Sequence, residues 1–286
     1  MPTVSKQQAK TTTKKRSSSK TSSIFDTLKE CNEDEGGLKL HLYGRSGTGK
    51  TTLWSSFPGP ILAIICSGGR KPGELKSVPL NKRSEIKKHV VTESSQIGEL
   101  IREQQRTGRF ETVVLDHLTG LQELLIAEIL GLDEIPVQMA WGMAKIQDYG
   151  QRSIQMKRIL MGVMSLDCNV VTVAQETDSS EENSNEDSDI IQPYVDSAMS
   201  KSVRAWFNPS ADYIAQTFKR PKMVETQKKV GSKTVTKTIK GKGVEYCLRV
   251  GDDGVSTVKF RIPGGHSEDV MVNPSYDKIM SLINGE

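Results

Sequence analysis

Leu38, Leu40 and Leu42 occupy every second position of a short stretch, the spacing of a β-strand. The chain then runs through GRSGTGKTT into TTLWSSF, which can start a helix. Beyond this point the apolar residues come in unbroken runs. Ile61 to Cys66 follows Pro60 and ends at Ser67, Gly68 and Gly69; Val90 and Val91 mark a shorter strand; VVLD ends at Asp116; NVVTVA spans Asn169 to Ala174. Unbroken apolar strands are those buried on both faces, as in a parallel sheet. Between them the spacing predicts helices over Ser95 to Gln105, capped by Ser94 or Ser95, over Leu118 to Leu130, and over Trp141 to Leu166. In the last of these, Ile146, Tyr149, Ile154, Ile159 and Val163 recur near helical spacing. Strands alternating with helices predict a three-layer α/β fold with a mainly parallel central sheet and a ligand at the C-terminal edges of its strands. Further on, Ala211 to Phe218 reads as a strand, Val244 to Val250 and Val255 to Ile262 as a hairpin around GDDG, and Ser275 to Ile283 as a helix.

Charge changes this picture at three places. Residues 1 to 23 hold six basic residues (Lys6, Lys10, Lys14, Lys15, Arg16, Lys20) and no acid among Ser, Thr and Gln, so a disordered basic tail is expected there. Removing it from the net charge of +4 leaves 4 − 6 = −2 for the remainder. From Glu176 to Asp189 there are seven acids and no base, which predicts an exposed, disordered acidic loop over 177–189. Nine bases then fall between 219 and 242, namely Lys219, Arg220, Lys222, Lys228, Lys229, Lys233, Lys237, Lys240 and Lys242, against the single acid Glu225. With Val230, Val235 and Ile239 interspersed, they predict a basic β-hairpin that can bind nucleic-acid phosphates and that the acidic loop can cover. The resulting division is a tail over 1–23, a core over 37–218, and a basic hairpin with a β extension packed on the core over 219–286.

A chain of 286 residues with 35% hydrophobic content suits one sizeable α/β domain with appendages, part of it unfolded. Cys31, Cys66, Cys168 and Cys247 lie far apart with no C-x-x-C pair, which argues against a zinc site or a disulfide framework and for reduced thiols. Neither a signal-peptide core nor an apolar run of membrane-spanning length is apparent, so a cytoplasmic protein without membrane contact is expected.

The candidate chemistry centres on G-x-x-x-x-G-K-[ST], matched by Gly44, Arg45, Ser46, Gly47, Thr48, Gly49, Lys50 and Thr51, with Thr52 following. Glycines let backbone amides wrap a phosphate; Lys50 would supply charge to the β and γ phosphates of ATP, and the Thr51 hydroxyl a ligand to Mg²⁺. Asp116, 65 residues beyond Thr51 at the end of a buried strand, is the second expected metal ligand. Gln175 and Glu176, at the end of the Asn169 to Ala174 strand, are placed to sense the γ phosphate or position water.

GRSGTGKTT, the strand ending at Asp116, the pair Trp141-Gly142, VVTVAQE and ADYIAQTF together resemble the phage-type RecA-like P-loop ATPases. Within that group they are most similar to the Sak-type single-strand annealing proteins and their AAA-like relatives. The resemblance spans residues 37 to 262. It implies a RecA-like core, ATP with Mg²⁺, single-stranded DNA as partner, a homo-oligomer, a single-strand binding protein as a further partner, and a role in recombination, annealing or replication. It also places Lys201 and Arg204 near a subunit boundary, where a basic residue can reach a neighbour's γ phosphate. One departure bears on catalysis: relatives end the second strand with a carboxylate, and this chain has Ile65, Cys66 and Ser67 there, leaving Glu176 as the substitute base. The expected function is therefore an ATP-binding protein on single-stranded DNA with weak or assembly-dependent hydrolysis. The alternatives are a non-hydrolysing, nucleotide-gated scaffold and, less favoured, a small-molecule nucleotide kinase.

Overall fold

A computed structural model describes residues 36–67, 74–132, 144–181, 192–230, 233–262, 265 and 268–285. Its strands, in chain order, are β1 (Lys39–Gly44), β2 (Ile61–Ile65), β3 (Ile86–Val90), β4 (Thr112–Asp116), β5 (Asn169–Ala174), β6 (Glu176–Glu181), β7 (Gln192–Ser197), β8 (Tyr213–Val230), β9 (Lys233–Arg249) and β10 (Val270–Val272). The helices are α1 (Lys50–Trp54), α2 (Ser94–Thr107), α3 (Leu118–Ile129), α4 (Ile146–Met164), α5 (Lys201–Ser210) and α6 (Tyr276–Asn284). One eight-stranded sheet runs β10-β9-β8-β1-β5-β4-β2-β3, and β6 pairs with β7 in a second sheet of two strands. Pairing is parallel from β8 through β3 and antiparallel at β8–β9 and β9–β10.

The expected three-layer α/β architecture is present, and the alternation within each strand shows how it is built. On one face Tyr43, Leu62, Ile64, Val113, Leu115 and Val170 pack with Ile97 and Ile101 of α2, Leu121 and Leu125 of α3, Met156 and Leu160 of α4, and Phe207 of α5. On the other, Leu40, Leu42, Ile61, Ala63, Ile65, Val114, Val171 and Val173 pack with Leu53 and Trp54 of α1 and Ile279 of α6. Every second residue thus points to each of two cores, which is why the runs read as continuously apolar.

The parallel strands and α3, α4 and α6 lie within a few residues of their expected places, while other elements differ. The cap of α2 is Glu93, in a box with Gln96, because the Ser94 amide and hydroxyl both donate to Glu128 of α3 at 2.6 Å. The acidic stretch expected as a loop begins as β6, paired antiparallel with β7 from Glu176↔Ser197 to Glu181↔Gln192. Val255 to Ile262 does not form a hairpin with β9, whose free edge β10 occupies. Asp253 accepts from the amides of Val255 (3.1 Å) and Ser256 (2.6 Å), and the chain then crosses to bridge Val195 with Ser256 and Ile214 with Lys259. The boundary drawn between 218 and 219 falls inside β8. The basic tail over 1–23, Trp141 and Gly142, residues 182–189 of the acidic stretch and Cys31 lie outside the described residues. Cys66, Cys168 and Cys247 are buried free thiols. Among the described residues, no helix is long and apolar enough to cross a membrane.

Candidate nucleotide site

Because β1 lies between β5 and β8, the loop that leaves it is flanked by the ends of both. Gly44, Gly47 and Gly49 all take positive φ, at 153°, 74° and 95°. At Gly44 the requirement is also steric, since a Cβ there would lie 2.3 Å from the Thr217 carbonyl oxygen of β8. A Cβ on Gly49 would meet the Tyr246 ring of β9 at 3.2 Å, and one on Gly47 would come within 3.9 Å of Lys219 Nζ of β8. Thr48 is fixed from the same side, its hydroxyl sharing a buried 2.7 Å hydrogen bond with that of Thr217. The glycine loop therefore rests on the root of the β8–β9 ribbon, a contact between residues roughly 170 to 200 positions apart.

Lys50, the first residue of α1, is buried, and its Nζ donates to the carbonyl oxygens of Gly44 (2.5 Å) and Arg45 (2.7 Å) and lies 3.5 Å from Gln175 Oε1. Burial pulls its pKa down to about 8, against the opposing pull of the Asp116 and Glu176 carboxylates. Thr51 follows on α1, which is only five residues long, and Thr52 is exposed at the loop's outer edge. Asp116 ends β4, buried, and its Oδ2 accepts a hydrogen bond from Trp54 Nε1 of α1 at 3.1 Å. Since β5 separates β1 from β4, Gln175 at the end of β5 falls between the loop and Asp116, with its amide receiving support from Thr119 Oγ1 at 3.3 Å.

These groups fit a magnesium nucleotide. The glycine loop has three residues at positive φ, Lys50 is a buried amine beside it, and Thr51 and Asp116 offer hard oxygens. Among the described residues no three His, Cys, Asp or Glu side chains gather at one point.

Glu176 is placed differently from a free base. Its Oε1 accepts from Arg45 Nε and its Oε2 from Gln216 Nε2, both at 2.9 Å, and its side chain is 7% exposed. Gln216 in turn accepts from Arg249 Nε (3.2 Å) and Ser256 (3.1 Å), and Arg249 pairs with Asp253 at 3.2 Å. A polar chain thus leads from Arg45 in the loop to the base of the ribbon. Ser67, at the position where the resemblance led to the expectation of a carboxylate, is buried beyond the end of β2.

Lys201 is exposed at the start of α5, whereas Arg204 turns inward. Its side chain is 17% exposed and lies 3.8 Å from the buried Asp196 carboxylate, so it has a charge partner within its own chain. Of the nine basic hairpin positions, Lys219, Lys222, Lys240 and Lys242 are exposed and Arg220 is paired with Glu245 at 3.0 Å. Lys228, Lys229, Lys233 and Lys237 fall on the paired backbone of β8 and β9, with their side chains outside the described part.

With this geometry in place, a family model described as an AAA domain matches residues 36–243. The chain belongs to the AAA domain family. Among curated proteins, nothing matches it. As an AAA domain it is an ATP-binding P-loop NTPase, and the match reaches into β9, so it takes in β8 and the first part of its partner strand.

Proposed function

We propose that this AAA-domain protein couples Mg²⁺-ATP at Gly44–Thr52 to single-stranded DNA held by the β8–β9 ribbon. Lys50 supplies charge to the β and γ phosphates, Thr51 and Asp116 hold the metal, and Gln175 senses the γ phosphate. The observation that carries this reading is the contact between loop and ribbon root, where Thr48 bonds Thr217 at 2.7 Å. A loop that adjusts to phosphate has to move against the element holding nine of the chain's bases between 219 and 242. Few aromatic residues accompany those bases, so DNA contact is phosphate-dominated and tolerant of sequence. Kinship with the Sak-type annealing proteins, and a role in recombination or replication, rest on the order and spacing of the motifs. A homo-oligomer with Lys201 facing the neighbour's site, now favoured over Arg204, completes the reading.

The test is ATP turnover with and without single-stranded DNA, alongside DNA affinity as a function of salt. Stimulation by DNA supports the reading. With about five phosphate contacts, log affinity falls against log salt with a slope near −3.5, from roughly −0.7 per contact on single strands. Charge reversal at Lys228, Lys229, Lys233 and Lys237 should flatten that slope, and an unchanged slope would remove the ribbon from the DNA site.

A second reading, a nucleotide-gated scaffold that does not hydrolyse ATP, is favoured by two observations. No carboxylate follows β2 among the described residues Cys66 and Ser67, and both oxygens of Glu176 are engaged by Arg45 and Gln216. Glu176→Gln separates the two. A fall in turnover of about 10²-fold with ATP binding kept supports Glu176 as the base, and an absence of turnover in the parent supports the scaffold.

A further inference from the structure

Lys219 and Tyr246 face each other across the β8–β9 ladder, two residues beyond Thr217, where the ribbon meets the glycine loop. Both are exposed, and each is aimed at a different glycine, Lys219 Nζ towards Gly47 and the Tyr246 ring towards Gly49. Beside them opens a cavity of about 450 Å³, lined by Gly49, Thr52, Ser77, Tyr246, Asn273 and Pro274. Gly47, Thr48 and Gly49 of the loop line it together with Thr217 and Tyr246, and β8 and β9 lie on the other side of β1 from β5 and β4, so a nucleotide whose terminal phosphate lies towards Gln175 and Asp116 can direct its base into it. An aromatic face, an amide side chain and a proline are groups on which a nucleobase can stack and find hydrogen bonds. The Asn273 backbone N–H donates to the Tyr246 carbonyl oxygen at 2.7 Å, which ties this wall of the cavity to the ring-bearing strand.

We propose that the cross-strand pair Lys219 and Tyr246 forms part of the nucleotide site, the amine on the polyphosphate and the ring against the nucleobase. Lys219 is thereby reassigned from the DNA-binding group to the nucleotide. The ribbon contributes to the site in the same chain, and the base becomes the bridge between loop and ribbon. This inference rests on the reading that the chain binds ATP, and it adds which residues outside the loop recognise it.

Inorganic tripolyphosphate, which has the phosphates of ATP and no base, separates the two roles. Affinities for ATP and for tripolyphosphate, each with Mg²⁺, are measured for the parent protein and for Tyr246→Ala, Tyr246→Phe, Lys219→Ala and Asn273→Asp. Tyr246→Ala should weaken ATP about tenfold, at the low end of what one stacked base contributes, and leave tripolyphosphate as it was. Tyr246→Phe should keep both affinities. Lys219→Ala should weaken both ligands alike by about tenfold, as expected for one charge-assisted phosphate contact, and Asn273→Asp should disturb ATP alone. Circular dichroism confirms folding of each variant, which the exposure of these side chains favours. A parent that binds ATP while Tyr246→Ala affects both ligands equally, or neither, overturns the role of the ring, and Lys219→Ala without effect overturns that of the amine. A parent that binds neither ligand overturns the nucleotide reading itself, and this inference with it.

Discussion

Lys50 sits with its pKa at about 8 because burial disfavours its charge more than Asp116 and Glu176 restore it. Nucleotide binding therefore depends on pH in a window where no phosphate titrates, since the last phosphate ionisation lies near pH 6. Bound polyphosphate sets negative charge beside Lys50 and holds the amine protonated, so above pH 8 the protein must take up a proton to bind. The dissociation constant then scales with 1 + 10^(pH − 8), which amounts to about 25-fold weaker binding at pH 9.5 than at pH 7.5, or about 2 kcal/mol. Titration calorimetry in two buffers of different ionisation heat measures both consequences. Affinity should fall through this range, and proton uptake should rise from about 0.1 per ATP at pH 7 to about 0.9 at pH 9. Stability of the free protein should move the other way. Between pH 8 and 10.5 the unfolded chain holds the proton that folded Lys50 has lost, so resistance to urea should rise with pH across this window from this group alone. Affinity that stays flat from pH 7.5 to 9.5, with no proton uptake at pH 9, would refute the argument.

Lys50→Ala should abolish ATP binding with the thermal melt retained; labelled ATP bound as by the parent would remove the loop from the site. Thr51→Ala and Asp116→Ala should act on the Mg²⁺ dependence of binding, and affinities unchanged by both across a Mg²⁺ titration would withdraw the metal assignment. Gly44→Ala should cost about 1–3 kcal/mol, read as a lowered melting temperature, because its Cβ meets the Thr217 carbonyl at 2.3 Å and its φ is 153°. Asp196→Ala removes the acceptor for Asn208 Nδ2 (3.1 Å) and the Ser197 amide (2.6 Å) and leaves Arg204 unpaired; urea unfolding should show a loss of about 3 kcal/mol or more, and a loss below 1 would contradict the inward placement of Arg204.

The core was legible because each buried strand carries its pattern locally. Leu40 and Leu42 alternate with His41 and Tyr43, VVLD delivers Asp116, and the glycine spacing specifies the loop without reference to the rest of the chain. Unreadable features depend on which strand lies beside which. Placing β8 next to β1 brings Thr217 to Thr48 and Tyr246 to Gly49, and nothing in either local sequence encodes that distance. A partial signal existed in ADYIAQTF, where Gln216 and Thr217 interrupt the apolar run of Ile214, Ala215 and Phe218: buried polar residues there need partners, which are Glu176, Arg249 and Thr48. The pairing of Arg204 with Asp196 was not legible because Asp196 lies on β7, a strand whose place beside α5 no local pattern encodes. The Val255 to Ile262 segment had strand composition, yet Asp253 turned it across the sheet instead of along β9.

Strand β8 pairs with β1 only from Tyr213 to Thr217, yet it continues to Val230, so thirteen residues lie beyond its anchorage. At about 3.3 Å per residue this is an arm of roughly 43 Å, paired with β9 on both sides of a register shift between Pro221 and Met223. Its fulcrum is the Thr217 contact with the glycine loop. A tilt of about 5° at that fulcrum would carry Val230 through about 4 Å, so the lever geometry would amplify any movement of the loop. An adjustment at the phosphates too small to rearrange the sheet becomes, at the tip, a displacement comparable to the spacing between adjacent strands.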